Sequence, residues 1–504
     1  MIQEHSTFTE APRDKAQHSS EGQLQPSLPT KVKRIRYSGL IGGVLLAALA
    51  VLALPEELTM HAKLTAGVVI LMGTWWMTEA VPIPVTALAP LVLFPALGIT
   101  DIDEVAGSYA SETIFLFLGG FMLALGMQRW NLHKRIALHI VLLVGTRPTR
   151  LIAGLMIATA FLGMWVSNTA TAMMMIPLGM SLVGLVETQK GVASKSRFGV
   201  GVMLGIAYSA TFSAFGTIVA SPGNVFVVGY IEENFGYQIT FLQWMMFGMP
   251  LAAGFMFLGW FFITRVLWRP EVDDLPGGKK LFAEELRSLG KMTTGEMMIL
   301  IIFLGTALSW IVVPVIFEDP WATDSVIAMI SGISVFLLPA RPKDGVMLMN
   351  WETANKTPWG TLLLVGGGLA LSAQVMSSGL SEWIGDSLSI LGGLPVWVLI
   401  PAVVSLLCIL TEFTSSMASI TTFVPLVAGV AATLGQDPVV FAIMVTQACQ
   451  CAFMLPVATP PNAIAYGSGS VTIQQMVRTG IVMNVLGVVL VSSVGLFLLP
   501  NILV

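Results

Sequence analysis

Charge is scarce in this sequence. Only 11% of its 504 residues are Asp, Glu, Lys or Arg, whereas a soluble globular chain carries about a quarter. A soluble enzyme and a secreted scaffold are thereby excluded. The net charge of −4 leaves no basic face, so nucleic acid is not a partner. Histidine is rarer still. The five residues His5, His18, His61, His133 and His139 fall in a polar tail, in loops or in one amphipathic segment. No imidazole, paired intramembrane Asp or His-Glu-x-x-His motif therefore serves an intramembrane protease, and the chain is not expected to be an enzyme. Cysteine is limited to Cys408, Cys449 and Cys451, all inside apolar runs. Cys449 and Cys451 are two residues apart, a spacing that could in principle pair on a metal, but small packing residues in a buried helix are the favoured reading. What abounds is apolar sequence: 55% hydrophobic residues and a mean hydropathy of +0.81. Several runs approach the roughly 20 residues that a bilayer crossing needs. They are too long for β-barrel strands, which read as short alternating segments. The chain is expected to be an all-α polytopic membrane protein.

Residues 1–35 are polar and read as a disordered cytoplasmic tail, not a signal peptide, because no apolar stretch follows an early basic pair. Hydrophobic passages follow at 37–55, 64–81, 84–100, 112–128, 198–229, 241–267, 293–317, 324–340, 358–376, 438–467 and 472–499, with Pro- and Gly-punctuated pairs at 150–187 and 394–434. Counting each pair as a hairpin that enters and leaves on one side gives eleven crossings and two re-entrant hairpins. With the N-terminus in the cytoplasm, Lys63 is the only one of 25 Lys and Arg residues on the outer side. That matches the positive-inside bias, and the odd count puts the C-terminus outside. The organisation expected is a tail (1–35), a first helix with a first repeat (36–270), a cytoplasmic linker (271–292) and a second repeat (293–504).

The repeat is read from three matches in the same order. Leu116-Phe-Leu-Gly-Gly-Phe-Met-Leu-Ala-Leu125 parallels Leu362-Leu-Leu-Val-Gly-Gly-Gly-Leu-Ala-Leu371. Ser167-Asn-Thr-Ala-Thr with Pro177 parallels Ser415-Ser-Met-Ala-Ser with Pro425. Ser221-Pro-Gly-Asn224 parallels Thr459-Pro-Pro-Asn462. The offsets are 246, 248 and 238 residues. Five crossings per copy turn the copies upside down relative to each other, the ground plan of many secondary carriers. Gly-Gly and Ser/Thr-Pro are common packing and kink devices singly; three in register are a repeat.

Each half holds two polar breaks, at Ser167-Asn168-Thr169 and Ser221-Pro222-Gly223-Asn224, and at Ser415-Ser416-Met417 and Thr459-Pro460-Pro461-Asn462. In hydrocarbon, backbone freed by such breaks must be buried in protein or line a watery cavity. Helix ends meeting there offer N–H groups to an anion and C=O groups to a hard cation. No Lys or Arg lies within the breaks, so an anion would be neutralised by helix ends or by a cation that travels with it. Two carboxyls sit in apolar context. A structural role, satisfied by backbone donors at a helix end, is favoured for Glu79. For Glu412 that role and a proton or cation relay are evenly balanced. Residues 129–148 suit a basic helix in the cytoplasmic interface, matched on the outer side by 379–392, and an ordinary surface helix fits these segments equally well. Met173-Met174-Met175 reads as pliable packing.

Further motifs are Trp76-Met-Thr-Glu-Ala-Val-Pro, Leu118-Gly-Gly-Phe, Met127-Gln-Arg-Trp130, Met164-Trp-Val-Ser-Asn-Thr-Ala-Thr171, Thr411-Glu-Phe-Thr-Ser415 and Leu455-Pro-Val-Ala-Thr-Pro-Pro-Asn-Ala463. From about residue 37 to 500 the sequence resembles the divalent anion/sodium symporter family of dicarboxylate, citrate and sulfate carriers. The resemblance implies eleven transmembrane helices, two re-entrant hairpins with Ser-Asn-Thr tips, and an inner-membrane homodimer in lipid that works by an elevator motion. It implies carriage of C4-dicarboxylates such as succinate, malate or fumarate with Na⁺; the rivals are a sodium-independent exchanger and a citrate or sulfate carrier. By motif position the substrate would meet Asn168, Thr169, Ser221, Ser415, Ser416, Thr459 and Pro460. A first sodium would lie at Ser167, Asn168, Gly163 and Ala220, a second at Thr411, Thr414, Ser416 and Ala458. Two departures stand out: the second tip reads Ser-Ser-Met, so Ser416 replaces an amide and Met417 a hydroxyl, and Gly163 stands where relatives place a hydroxyl.

Overall fold

The computed structural model describes residues 29–145, 147–190, 196–271, 278–317, 322–387, 395–456 and 458–503. The tail to residue 28, linker residues 272–277, the outer-loop Glu318 and Asp319, and 388–392 of the second interfacial segment lie outside the described residues. The described chain is almost wholly helical, as it must be where only internal hydrogen bonds satisfy the backbone. Val32–Ala53, Arg197–Gly216, Phe241–Leu267, Thr294–Ile316, Trp359–Ser377, Ser416–Thr433 and Ile473–Ile502 are each long and apolar enough to cross a membrane. Ile102–Ser108 and Glu112–Arg129, bent by 41°, together make an eighth candidate.

The other passages are built from shorter pieces, such as Ile83–Ala96, Asp324–Leu337 and Pro438–Gln450. Several starts are set by caps visible in the sequence. Thr240 with Gln243, Thr293 with Glu296 and Thr472 with Gln475 form reciprocal capping boxes.

Three expectations need correction, and a fourth holds. The first helix begins at Thr30, so residues 30–35 are helical and not tail. The passage at 324–340 stops at Leu337 and gives way to a two-stranded antiparallel ribbon, Pro339–Arg341 with Val346–Met347. Gly345 (φ 65°) supplies the left-handed residue of its turn. Glu79 is indeed at a helix end, where its backbone adopts φ 47° as the C-cap of Met60–Thr78. Its carboxylate, however, is exposed and accepts no hydrogen bond among the described residues. Finally, Cys408 and Cys451 donate to the Ala448 and Gln447 carbonyls in a buried cluster, the packing role.

Glycine brings helices into close approach where the core needs it. A Cβ on Gly119 would lie 2.4 Å from the Ala328 backbone, locking Glu112–Arg129 to Asp324–Leu337. Arg197–Gly216 is buried along its whole length and packs against both Pro148–Gly163 and Asn168–Lys190.

The interfacial helix forms as Leu132–Val144. It leans on Pro148–Gly163 and is tied to the linker helix Gly278–Ser288 by Lys134–Glu285 at 3.0 Å. Arg135 grips Glu296 at 2.9 Å and the Gly290 carbonyl at 3.1 Å. Its counterpart Leu380–Ser387 leans instead on the second helix of its hairpin, Ser416–Thr433.

Candidate functional site

Pro148–Gly163 and Asn168–Lys190 form a helix pair joined by a short tip that ends at Ser167. Beside it, Arg197–Gly216 stops, Thr217 is extended, Ile218–Ala220 makes one tight turn, and Ser221 caps a new helix, Pro222–Phe235. Pro222 supplies no N–H, which suits a first helical position and disfavours helix in the residue before it. The freed groups are stitched by side chains. Asn224 donates to the carbonyls of Ala214 (2.6 Å) and Thr217 (2.8 Å). Thr217 donates to the Met164 carbonyl at the tip (2.7 Å), and Ser213 to Asn168 Oδ1 (3.2 Å).

The second half repeats this construction. Val396–Thr411 and Ser416–Thr433 are joined by a tip capped by Ser415. Pro438–Gln450 breaks before Thr459 caps Pro460–Gly467. Asn462 donates to the carbonyls of Ala452 and Leu455, both at 3.2 Å, ten and seven residues back. These are the intervals Asn224 uses. The break also holds a feature without a first-half counterpart. The buried Glu412 carboxylate accepts from the backbone N–H groups of Phe453 (2.7 Å), Met454 (2.9 Å) and Leu455 (3.1 Å), and from Asn484 (2.7 Å). Of its two balanced roles, this geometry supports the structural one.

The two tips and the two breaks face one cavity of about 590 Å³, within the size range of small-molecule sites. Asn168, Thr169, Ser221, Ser415, Ser416, Thr459 and Pro460 all line it, as do Ser167, Ala220 and Ala458. Phe117, Phe121 and Val219 make an apolar wall. The halves also touch directly: a Cβ on Gly223 would lie 2.4 Å from Ile420 of the second hairpin.

Three proposed sodium ligands do not face the cavity. The hydroxyl of Thr411 bonds the Leu407 carbonyl at 2.8 Å, and that of Thr414 bonds the Leu410 carbonyl at 3.2 Å and Ser419 at 2.7 Å. Both hydroxyls serve their own hairpin. Gly163 lies behind the first tip, where a Cβ would sit 2.2 Å from Ser213 Oγ and 3.5 Å from Asn168 Oδ1. The hydroxyl that Gly163 lacks is thus supplied in the same space by Ser213 from another helix.

Sequence reasoning missed Ser213, and it missed Gln450, which donates to Asn224 Oδ1 across the halves (2.9 Å) and lines the cavity. A polar amide inside an apolar helix is a visible signal; its partner is not.

At matching positions the halves differ. In the first half, Asn168 Oδ1 accepts from Ser213, Ser221 Oγ from Gly223 N–H (3.3 Å) and Asn224 Oδ1 from Gln450. In the second, Ser416 Oγ, Thr459 Oγ1 and Asn462 Oδ1 are buried without a hydrogen-bond partner among the described residues, as is Gln450 Oε1. Buried polar atoms are seldom left unpaired, and of these four residues Ser416, Thr459 and Gln450 line the cavity.

Crossing helices interrupted at a shared polar cavity, with paired hairpin tips opposite, define an all-α polytopic membrane transporter. Residues 36–502 match the family described as the sodium:sulfate symporter transmembrane region, and the chain belongs to that family of divalent anion/sodium symporters. The sodium-dependent dicarboxylate transporter SdcS of Staphylococcus saprophyticus is 37% identical over 476 residues, covering 92% of each chain. The protein of the same name from Staphylococcus aureus (strain USA300) is 36% identical over 475 residues, covering 92% of this chain and 91% of its own. The crystal structure of the Alcanivorax borkumensis YdaH transporter shares the fold, with a TM-score of 0.54 at 15% identity over 86% of this chain and 98% of that one.

Proposed function

We propose that the protein carries C4-dicarboxylates such as succinate, malate or fumarate across the inner membrane together with Na⁺. The observation that carries this reading is the start of four helices at one cavity wall: Asn168–Lys190, Pro222–Phe235, Ser416–Thr433 and Pro460–Gly467. Helix N-termini carry partial positive charge and unpaired N–H groups, so converging ones favour an anion. Substrate carboxylates would sit between the tips, against Asn168, Thr169 and Ser221 on one side and Ser415, Ser416, Thr459 and Pro460 on the other.

Sodium, a hard cation, asks for oxygen ligands. In the first half we assign it to Ser167, Asn168 and the Ala220 carbonyl, with Ser213 filling in for Gly163. In the second half, Ser416 and the Ala458 carbonyl, with the unpartnered oxygen of Asn462, suit the same ion despite the loss of the tip amide. The staphylococcal sodium-dependent dicarboxylate transporters, 36–37% identical to this chain, support both cargo and ion.

In this reading the chain is a homodimer with eleven crossings in two inverted repeats, N-terminus inside and C-terminus outside. The hairpins and broken helices move as an elevator against the remaining helices. Radiolabelled succinate uptake into proteoliposomes tests it: an inward sodium gradient should drive accumulation above equilibrium. Uptake that ignores sodium but needs internal dicarboxylate would replace symport by exchange, and competition by citrate or sulfate but not malate would change the substrate class.

A further inference from the structure

Among the described residues the cavity is lined by hydroxyls, amides, carbonyl-bearing small residues and aromatic rings, with one ionisable exception, Lys356. Lys356 is not in any of the four breaks. It stands between the short helix Trp351–Ala354 and Trp359–Ser377, exposed at the rim beside Pro358, Thr361 and Gln128. The segment is firmly held. Arg129 donates to Thr353 at 2.6 Å and to Asn350, and the Trp130 indole donates to the Leu348 carbonyl at 2.8 Å. The Lys356 N–H itself donates to the Thr353 carbonyl at 3.1 Å, and Thr357 Oγ1 to the Ala354 carbonyl at 2.7 Å. Thus the Arg-Trp pair that ends Glu112–Arg129 fixes the loop that presents the lysine. No carboxylate lies within 4.0 Å of the Lys356 ammonium among the described residues.

From this placement we infer that Lys356 is a specificity-determining residue. It is a fixed, water-accessible cation at the rim that draws doubly charged acids to the neutral site and discriminates against singly charged ones. The inference rests on the dicarboxylate reading above. An unpaired charge at the mouth of a low-dielectric cleft focuses its field along the opening and raises the local concentration of counter-charge. A dianion feels twice the attraction of a monoanion, and because the ammonium is exposed, salt weakens the effect.

The experiment compares the full-length protein with K356Q and K356R in proteoliposomes sorted for inside-out insertion, so that external succinate meets the cytoplasmic face expected to bear Lys356, at fixed sodium, varying ionic strength with choline chloride from about 0.01 M to about 1 M. At low ionic strength K356Q should raise KM for succinate about three- to tenfold with kcat unchanged. It should raise KM for monomethyl succinate by only about the square root of that factor, about two- to threefold, and flatten the salt dependence of succinate KM. K356R should keep the parent values. Equal melting temperatures would show that the variants fold. If the parent transports succinate and K356Q behaves like it at every ionic strength, the inference fails while the function stands. If the parent does not transport succinate, the functional reading itself fails.

Discussion

At the scale of single residues, the site works by substituting one side chain's atoms for another's. Gly163 has no hydroxyl, yet the space its side chain would occupy is filled by Ser213 Oγ, within 3.2 Å of Asn168 Oδ1. Position 163 read alone would suggest a missing hydroxyl; the folded chain brings one from 50 residues away. Ser213→Ala should therefore weaken sodium binding without unfolding the protein, since it removes one small polar group. The half-saturating sodium concentration for uptake should rise about tenfold, the scale of one hydrogen bond to a charged group. Gly163→Ser alone should destabilise, because its Cβ would meet Ser213 Oγ at 2.2 Å. The exchange G163S with S213G should recover much of the sodium affinity. Sodium titration of uptake beside thermal melts checks all three, and an unshifted titration for S213A would remove this residue from the ion's surroundings.

At the scale of elements, the question is how a helix broken inside a membrane keeps its freed backbone groups satisfied. In the first half Asn224 and Thr217 do it; in the second, Asn462 is joined by Glu412, whose carboxylate gathers three consecutive N–H groups and the Asn484 amide. Glu412 follows Val396–Thr411 directly, so it ties the hairpin, the break and Ile473–Ser493 at one point. Glu412→Ala should lower stability by about 2 kcal/mol or more, since buried donors left unpaired each cost about 1–3 kcal/mol, and should abolish uptake. Glu412→Gln should fall between, because one of its two polar atoms turns donor. A melting temperature unchanged in the Ala variant would deny Glu412 this role.

The same comparison marks what was legible beforehand. The breaks, the tips and the repeat stand in the sequence because Pro, Gly, Ser and Asn interrupt apolar runs for local backbone reasons. Asn224 and Asn462 were visible as the last residues of matched motifs. The Glu412 and Gln450 partnerships span 41 to 72 and 226 residues, and no local pattern encodes them. The ribbon after Leu337 went unread because its strands are three and two residues long. Lys356 was counted only as a cytoplasmic charge, since nothing near it in the chain announces the cavity.

At the scale of the whole molecule, Trp165 lies where the first hairpin meets helices outside the hairpins. Two residues before the tip serine, its ring meets Phe303 edge-on at 4.7 Å and stacks on Trp310 at 6.4 Å, both on Thr294–Ile316. That helix packs in turn on Asp324–Leu337, where Thr306 and Ser331 hydroxyls meet at 2.6 Å, and on Glu112–Arg129. If the hairpins and broken helices travel as one body past this group, the Trp165–Phe303 contact must separate in every cycle while Thr306–Ser331 persists. Cysteines placed at 165 and 303 and joined by a short thiol cross-linker should stop succinate uptake, and reductant should restore it. Cysteines at 306 and 331, joined in the same way, should leave uptake near the uncross-linked rate. The native Cys408, Cys449 and Cys451 are replaced by Ala beforehand, because positions 303, 306 and 331 are buried too and a reagent that reaches them could reach the native thiols. Cross-linked 165–303 protein that still accumulates succinate would mean the tips reach both sides without leaving Thr294–Ile316, and the elevator would give way to local gating around a stationary site. If the 306–331 link alone stopped uptake, the moving boundary would lie between Thr294–Ile316 and Asp324–Leu337, within the group read here as the fixed frame.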